Sequence, residues 1–412
     1  MRAGSARRDT ELTAARARRR RWTRAAVALT AFAAAAWAVR DVPVALGRQP
    51  RGARADRVRR SPQFHAGAFR NPVTTRTLLP GSGRDALWEL FFGRQPRRPT
   101  GTIPVLAPDA APPVGRETAP AAGRAAGGPG AGPPPVAPAP GPASQLDVIW
   151  YGHASALLEI EGRRILVDPV WSERCSPSAR IGPRRLHPVP VPLDRLPRLD
   201  AVLISHDHYD HLDTATVRAL RRTQSAPFVV PLGVGAHLER WGVPPERIVE
   251  LDWAERVSVA GLEIVATPAR HFSGRAFARD RSLWGSWVVT GRRRRVFCSG
   301  DSGFFDGYAT IGAEYGPFDV TLIQIGAYSA AWPNVHMVPE EAVAAHLDLR
   351  GGLLIPVHWA TFNLAPHGWA DPVDRLCREA AVRDVRLAVP RPGERVVVDR
   401  PPAVDGWWRS LG

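Results

Sequence analysis

The sequence predicts an α/β fold over residues 147–412, with mixed β-sheets sandwiched between helices. Three observations predict it: apolar runs of strand length recur, helix-start signals fall between them, and His or Asp residues follow several of the runs. Asp147-Val148-Ile149-Trp150 and Ala156-Leu157-Leu158-Glu159-Ile160 open the domain. A Glu161-Gly162 turn then leads into Arg164-Ile165-Leu166-Val167-Asp168, so the natural reading is a set of hairpin-linked strands. Ala201-Val202-Leu203-Ile204-Ser205 is continuously apolar, as a buried strand would be, and Asp213 can cap a helix from Thr214 to Arg222. Further strands are expected at 263–267, 286–290, 295–299, 320–325 and 353–357, with a helix at 339–347.

All of the net charge lies ahead of this domain. Residues 1–146 hold 24 arginines against 8 acidic residues, which accounts for the whole formal charge of +16 and leaves the remainder neutral. A strongly basic chain would ordinarily suggest nucleic acid. Here the basic residues lie in segments with little capacity to fold, so an anionic membrane surface is the expected counterpart and no nucleic acid is. Within the basic leader 1–60, an apolar run covers 25–39 between Arg24 and Arg40. At about 1.5 Å per residue it spans roughly 22 Å, short of the ~30 Å hydrocarbon core. Three readings fit it: a signal peptide cleaved at Ala36-Trp37-Ala38, an uncleaved anchor whose flanking arginines snorkel, or an Ala-rich soluble helix.

Residues 61–106 carry Phe64, Phe69, Leu87, Trp88, Leu90, Phe91 and Phe92, too apolar for a spacer, and are expected to pack on the domain. Residues 107–146 are mostly Ala, Pro, Gly and Arg and cannot bury enough surface to offset their ordering entropy, so they read as a disordered linker. Cys175, Cys298 and Cys377 are far apart and odd in number; they read as unpaired small hydrophobes.

The chemistry begins at Ser205-His206-Asp207-His208-Tyr209-Asp210-His211, just after the buried strand. One histidine is more often a satisfied core or surface residue than a ligand. Three histidines with a carboxylate on a strand-to-helix turn point instead to a metal, since zinc takes imidazole nitrogen and carboxylate oxygen at about 2.0–2.2 Å. His206 and His208, two apart, can face one ion while Asp210 and His211 reach a second. Two ions need more ligands, and His271, Asp301 and His358 each follow a strand-like run, which would make a rigid cup.

These residues, in the order H-x-H-x-D-H, His, Asp, His, resemble the metallo-β-lactamase superfamily. The chain is most similar to its N-acyl-phosphatidylethanolamine-hydrolysing phospholipase D family. The closer likeness rests on Trp150-Tyr151-Gly152-His153-Ala154-Ser155, Asp168-Pro169-Val170-Trp171-Ser172, Gly182-Pro183-Arg184-Arg185, Gly300-Asp301-Ser302-Gly303-Phe304, His336-Met337-Val338-Pro339-Glu340-Glu341 and His358-Trp359-Ala360-Thr361-Phe362. Upstream, Phe69-Arg70-Asn71-Pro72 matches the family's F-x-N-P stretch.

The resemblance implies an αββα sandwich, two mixed sheets flanked by helices, with two zinc ions at one edge; iron or manganese would also suit such ligands. Carried over, one ion takes His206, His208 and His271, the other Asp210, His211 and His358, and Asp301 is shared. Asp168 would lie behind the ligands and orient them, and His336 would contact the substrate. The chain departs from the family at Ser329-Ala330-Ala331-Trp332-Pro333, where a charged segment is expected.

The expected activity is hydrolysis of a phosphodiester in an N-acyl-phosphatidylethanolamine-like phospholipid by a metal-bridging hydroxide, with Asp210 handling a proton and His336, Arg184 and Arg185 as candidate phosphate contacts. The arginine pair reads equally as solvated loop charge. The alternative is a lactonase or other ester hydrolase similar to the L-ascorbate-6-phosphate lactonases. The leader would hold the protein at a membrane.

Overall fold

The computed structural model describes residues 27–33, 35–107, 145–275 and 279–412. Most of the expected linker 107–146 and the basic stretch ahead of residue 27 lie outside these residues. A small hairpin, β1 (Phe64–His65) and β2 (Ala68–Phe69), precedes two large sheets. The first contains β3 (Leu146–Gly152), β4 (Ser155–Ile160), β5 (Arg163–Val167), β6 (Ala201–Leu203), β7 (Phe228–Pro231), β8 (Ile248–Leu251) and β15 (Arg395–Val397). The second contains β9 (Arg256–Val259), β10 (Leu262–Thr267), β11 (Ser286–Thr290), β12 (Arg295–Cys298), β13 (Phe318–Gln324) and β14 (Gly351–Val357). Their orders are β15-β3-β4-β5-β6-β7-β8 and β14-β13-β12-β11-β10-β9.

Both sheets are mixed. Antiparallel pairing of β3, β4 and β5 gives way to parallel pairing from β5 to β8. In the second sheet β9 to β12 are antiparallel and β12 to β14 parallel. It follows that β3, β5 and β6 run in one direction, as do β10, β12, β13 and β14. Their carboxyl ends are where this fold can gather side chains from distant parts of the chain.

Side-chain alternation explains the layering. Val148 and Trp150 of β3 join a core with Leu158, Leu203, Ile264, Trp287, Phe297 and Ile355 from both sheets. Their neighbours Ile149 and Tyr151 point the other way, into a cluster with Val217 and Leu220 of the helix Thr214–Thr223 and Leu238 of the helix Gly235–Arg240. Ala342, Val343 and Leu376, from the helices Pro339–Asp348 and Asp371–Val382, belong to the shared core beside β13 and β14. Helix, sheet, sheet and helix thus stack in the αββα order. Asp213 caps the helix Thr214–Thr223, accepting from the Ala215 and Thr216 amides at 3.3 and 3.2 Å.

Residues 42–107 lie against this body. Phe69 is buried in a cluster with Val58, Leu232, Leu283 and Trp284. Backbone amides of Phe69, Thr100 and Leu106 donate to Asp280, Leu411 and Pro392 carbonyls. Docking starts before residue 61, because the helix Gly52–Arg60 pairs Arg54 with Glu239 at 2.9 Å and Glu250 at 2.6 Å. Trp88 and Phe92 differ from the expected packing: on the helix Gly83–Phe92 they remain 66% and 65% exposed and face each other at 4.4 Å. Upstream, the helix Val27–Ala45, mean hydropathy 1.4, is long and apolar enough to cross a membrane, a test that a signal sequence also passes.

Phe69→Ala should lower the free energy of unfolding by about 3–5 kcal/mol, whereas Trp88→Ala should stay within about 0.5 kcal/mol. Denaturant midpoints compare the two; equal effects would mean that residues 64–69 do not belong to the cooperative core.

Candidate metal centre

The chemically active side chains sit just past the carboxyl ends of the co-directed strands. His153 follows β3, Asp168 follows β5, and His206 to His211 follow β6. From the second sheet come His271 after β10, Asp301 after β12 and His358 after β14. All seven expected ligands are brought together, with His336 beside them. Two groups of donors form, His206, His208, His271 and Asp301, and His153, Asp210, His211 and His358; a third set joins Asp301, His336 and His358.

The separations fit ligands around a cation. His206 Nε2 and His271 Nε2 lie 2.9 and 3.3 Å from His208 Nδ1, and each is 3.8 Å from Asp301 Oδ2. Tetrahedral ligands at 2.0–2.2 Å stand about 3.3–3.6 Å apart. In the second group His358 Nε2 and His211 Nε2 lie 3.2 and 3.6 Å from Asp210 Oδ2. Asp301 faces both groups: Oδ2 is 3.8 Å from His206 and His271 Nε2 of the first and 3.2 Å from His211 Nε2 of the second, and Oδ1 is 3.2 Å from His358 Nε2. His211 Nε2 and Asp301 Oδ1 are buried and make no hydrogen bond, as fits atoms left to a metal.

Hydrogen bonds behind the ring decide which nitrogen faces inward. His271 Nδ1–H donates to the Val335 carbonyl at 2.8 Å, and His211 Nδ1–H to Asp168 Oδ2 at 2.8 Å. Ser205 Oγ–H donates to Asp168 at 2.6 Å and accepts from His206 Nδ1 at 3.0 Å. With Nδ1 committed as donor, Nε2 of His206, His211 and His271 presents a lone pair to the centre. Asp168 is thus hydrogen-bonded to His211 directly and to His206 through Ser205.

Charge balance in the absence of metal points the same way. Burial pushes His206 and His271 well below the usual histidine range, so both stay neutral. Burial also opposes charge on His211 and His358, yet nearby Asp301 and Asp210 outweigh it, holding His211 well up and His358 at about 9. Asp210 and Asp301, despite the opposing effect of burial, are held well below the usual carboxylate range by surrounding imidazoles. The buried acids draw protons onto two ligands; divalent cations would replace that charge and release the nitrogens.

The loops carrying these groups are strained and latched. His153, Asp168 and His358 have φ of 51°, 40° and 66°, a left-handed conformation costing non-glycine residues roughly 1–3 kcal/mol each. His358 N–H donates to the His153 carbonyl at 2.9 Å, His153 N–H to Thr361 Oγ1 at 2.6 Å, and Trp150 Nε1–H to the His153 carbonyl at 2.7 Å. Gly300 has φ +56°, and a Cβ there would lie 2.7 Å from Ser205 Cβ, displacing the hydroxyl that serves Asp168 and His206.

Three contributors were not singled out in the sequence. His153 Nε2 lies 3.0 Å from Asp210 Oδ2 and donates to it, so this ring orients a ligand or joins the second group. Its local signals were the 150–155 motif and its position directly after a strand. Asn71 clamps the main chain of His271, donating from Nδ2 to its carbonyl at 2.7 Å and accepting from its amide at 2.8 Å. Buried Arg275 donates to the Asp207 and Leu212 carbonyls, both at 2.7 Å, and so fastens both ends of the His206–His211 segment.

The arginine pair needs correction. Arg184 is exposed and paired with Glu173. Arg185 donates to the Val170 and Tyr151 carbonyls at 2.8 and 3.4 Å, and its guanidinium lies 5.2 Å from the centre of the Phe362 ring. Neither stands among the metal-facing groups, and Arg185 braces the loops behind them. His336 is better placed: its Nε2 is 3.9 Å from Asp301 Oδ2, and burial lowers it to about 4, so it is neutral at pH 7.

Asn71→Ala and Asp168→Ala should each weaken metal binding by about 10–100-fold while the fold is kept, as loss of outer hydrogen-bond partners does. Competition with a chromophoric chelator measures this, and unchanged affinity in both variants would sink the positioning role.

Residues 163–359 match the β-lactamase superfamily domain family. An uncharacterised protein of Mycobacterium tuberculosis is 48% identical over 398 residues, 95% of this chain and 99% of that protein. N-acyl-phosphatidylethanolamine-hydrolyzing phospholipase D 1 of Caenorhabditis elegans is 35% identical over 246 residues, 57% of this chain and 69% of that protein. Among solved structures, a metallo hydrolase from the hyperthermophilic archaeon Ignicoccus hospitalis is 25% identical, with a TM-score of 0.48 over 61% of this chain and 97% of its own. The chain belongs to the β-lactamase superfamily of metal-dependent hydrolases, among the relatives of the N-acyl-phosphatidylethanolamine-hydrolysing phospholipases D.

Proposed function

We propose that the protein is a binuclear zinc phosphodiesterase that hydrolyses N-acyl-phosphatidylethanolamine-like phospholipids at a membrane. The observation that carries the two-metal reading is Asp301, whose carboxylate lies 3.8 Å from His206 and His271 of one group and 3.2 Å from His211 and His358 of the other. The likeness to the phospholipases D, 35% identity with the Caenorhabditis elegans enzyme, supports the choice of substrate. Two bound zinc ions supply a nucleophile at neutral pH and neutralise charge developing on a phosphoryl oxygen.

The side chains have separate tasks. His206, His208 and His271 would hold one ion, and Asp210, His211 and His358 the other, with His153 fixing Asp210 from behind. His336, neutral and beside Asp301, offers one ring N–H to a phosphoryl oxygen. Asp210, 3.0 Å from His153 Nε2 and 3.2 Å from His358 Nε2, balances charge and stands ready to handle a proton. Cleavage on the headgroup side consumes one water and yields phosphatidate and an N-acylethanolamine.

A mass-spectrometric screen of N-acyl-phosphatidylethanolamine, unacylated phospholipids and a lactone tests the reading. The expected products are phosphatidate and N-acylethanolamine, with turnover lost on chelation, regained with zinc, and reduced by about 100-fold or more in Asp301→Ala. Turnover of the lactone alone would make the protein an ester hydrolase instead.

A further inference from the structure

We propose that the apolar helix Val27–Ala45 is retained in the working protein, and that this helix and the arginine-lined cavity at its foot seat the domain on a bilayer leaflet with anionic headgroups. The inference deepens the lipid reading and rests on it for its biological sense, but its observations are separate.

The foot of the helix is built into the domain. The Arg180 guanidinium lies 3.9 Å over the Trp37 ring and donates to Asp41 at 2.5 Å. Buried Ser178 donates to the Ala38 carbonyl at 2.6 Å. Trp241 Nε1–H donates to the Val44 carbonyl at 2.8 Å, and the Arg48 amide to His237 Nδ1 at 3.1 Å. Gly47, at φ +73°, lets the chain pass this close, since a Cβ there would meet His237 Nδ1 at 1.9 Å. The Ala36-Trp37-Ala38 triplet that reads as a cleavage site is thus part of a docked interface, and cleavage after Ala38 would strip partners from Ser178 and Arg180.

Above the foot the described apolar side chains of the helix stand exposed. Val27, Leu29 and Phe32 are 63%, 70% and 73% exposed, and Ile181, next to Arg180, is 55% exposed. A helix apolar on every side belongs in lipid rather than water. At its base a cavity of about 540 Å³ is lined by five arginines against three acidic residues. Arg40 and Arg218 are exposed there. Arg275 gives its hydrogen bonds to carbonyls and to the Thr214 hydroxyl rather than to a carboxylate, including one to Ala45 at 2.9 Å. An apolar shaft ringed by cationic side chains matches the acyl layer and anionic headgroups of a membrane. Because Arg275 also holds the Asp207 and Leu212 carbonyls, the membrane foot and the metal-binding segment share one guanidinium.

The test uses the full chain. Intact mass after extraction from the producing cells should show Val27 and Trp37 retained. Flotation with vesicles of phosphatidylcholine, alone or mixed with phosphatidylglycerol, should favour the mixed vesicles. Arg40→Gln and Arg218→Gln together should weaken that binding by about fivefold for each charge removed, with metal content and turnover of a water-soluble phosphodiester unchanged. A chain that begins after Ala38, equal partition into the two vesicles, or a stable oligomer in detergent-free solution that ignores vesicles would each overturn the proposal. Should vesicle binding hold while no phospholipid is cleaved, the docking surface stands and the substrate assignment falls.

Discussion

The rest of the structure depends on a concentration of unshared electron pairs in a buried place. Asp210 and Asp301 lie among imidazoles whose Nε2 atoms approach carboxylate oxygens at 3.2–3.8 Å, and two of these atoms, His211 Nε2 and Asp301 Oδ1, have no hydrogen-bond partner. Such an arrangement is self-repelling unless positive charge sits within it. Protons on His211 and His358 are a partial remedy, but they occupy the nitrogens that face inward. Divalent metal ions would balance the acids and take up the lone pairs that face inward.

Holding that arrangement requires rigidity on the outside. Each ring fixed by its Nδ1 hydrogen bond loses the freedom to flip its lone pair away, and the fixing groups come from elsewhere: Asp168 after β5, Val335 ahead of the helix Pro339–Asp348. Left-handed backbone at His153, Asp168 and His358 turns the chain sharply at strand ends, so the side chains project over the edge rather than along the sheet. That local cost is tolerable because the two sheets share an extensive buried core, from Trp150 to Ile355, that leaves the strand ends little room to relax.

The fold and the ligands were legible for different reasons. Continuous apolar runs marked β3 to β6 and β10 to β14 to within two residues at most boundaries, because strands buried on both faces leave no polar alternation to confuse them. The ligands were legible because four of them crowd into six residues, which marks the turn and sets a demand that His271, Asp301 and His358 then satisfy. Edge strands β8, β9 and β15 are short and half-polar and left no such trace. Long-range supports were harder to read: Asn71 stood out only as part of the 69–72 motif, and with His271 200 positions away nothing local to it indicates an amide held against a distant backbone. Arg184 and Arg185 misled for the converse reason, since sequence shows charge but not whether carbonyls or a neighbouring glutamate have already taken it.

The segment 326–337 joins these threads. It carries His336 into the metal site, and the Val335 carbonyl within it fixes His271. Its uncharged Ser329–Pro333 portion departs from the family pattern, and the structure gives this portion its own support. The Ala331 carbonyl accepts from the Leu79 amide at 2.8 Å and from the Ser82 hydroxyl at 3.4 Å, and Trp332 Nε1–H closes the turn onto the Ala327 carbonyl at 2.8 Å. Residues 71–82 therefore hold one wall of the site through 331, as they hold His271 through Asn71. The upstream segment and the metal centre form one mechanical unit, so a change that loosens residues 71–82 reaches the ligands without altering any of them.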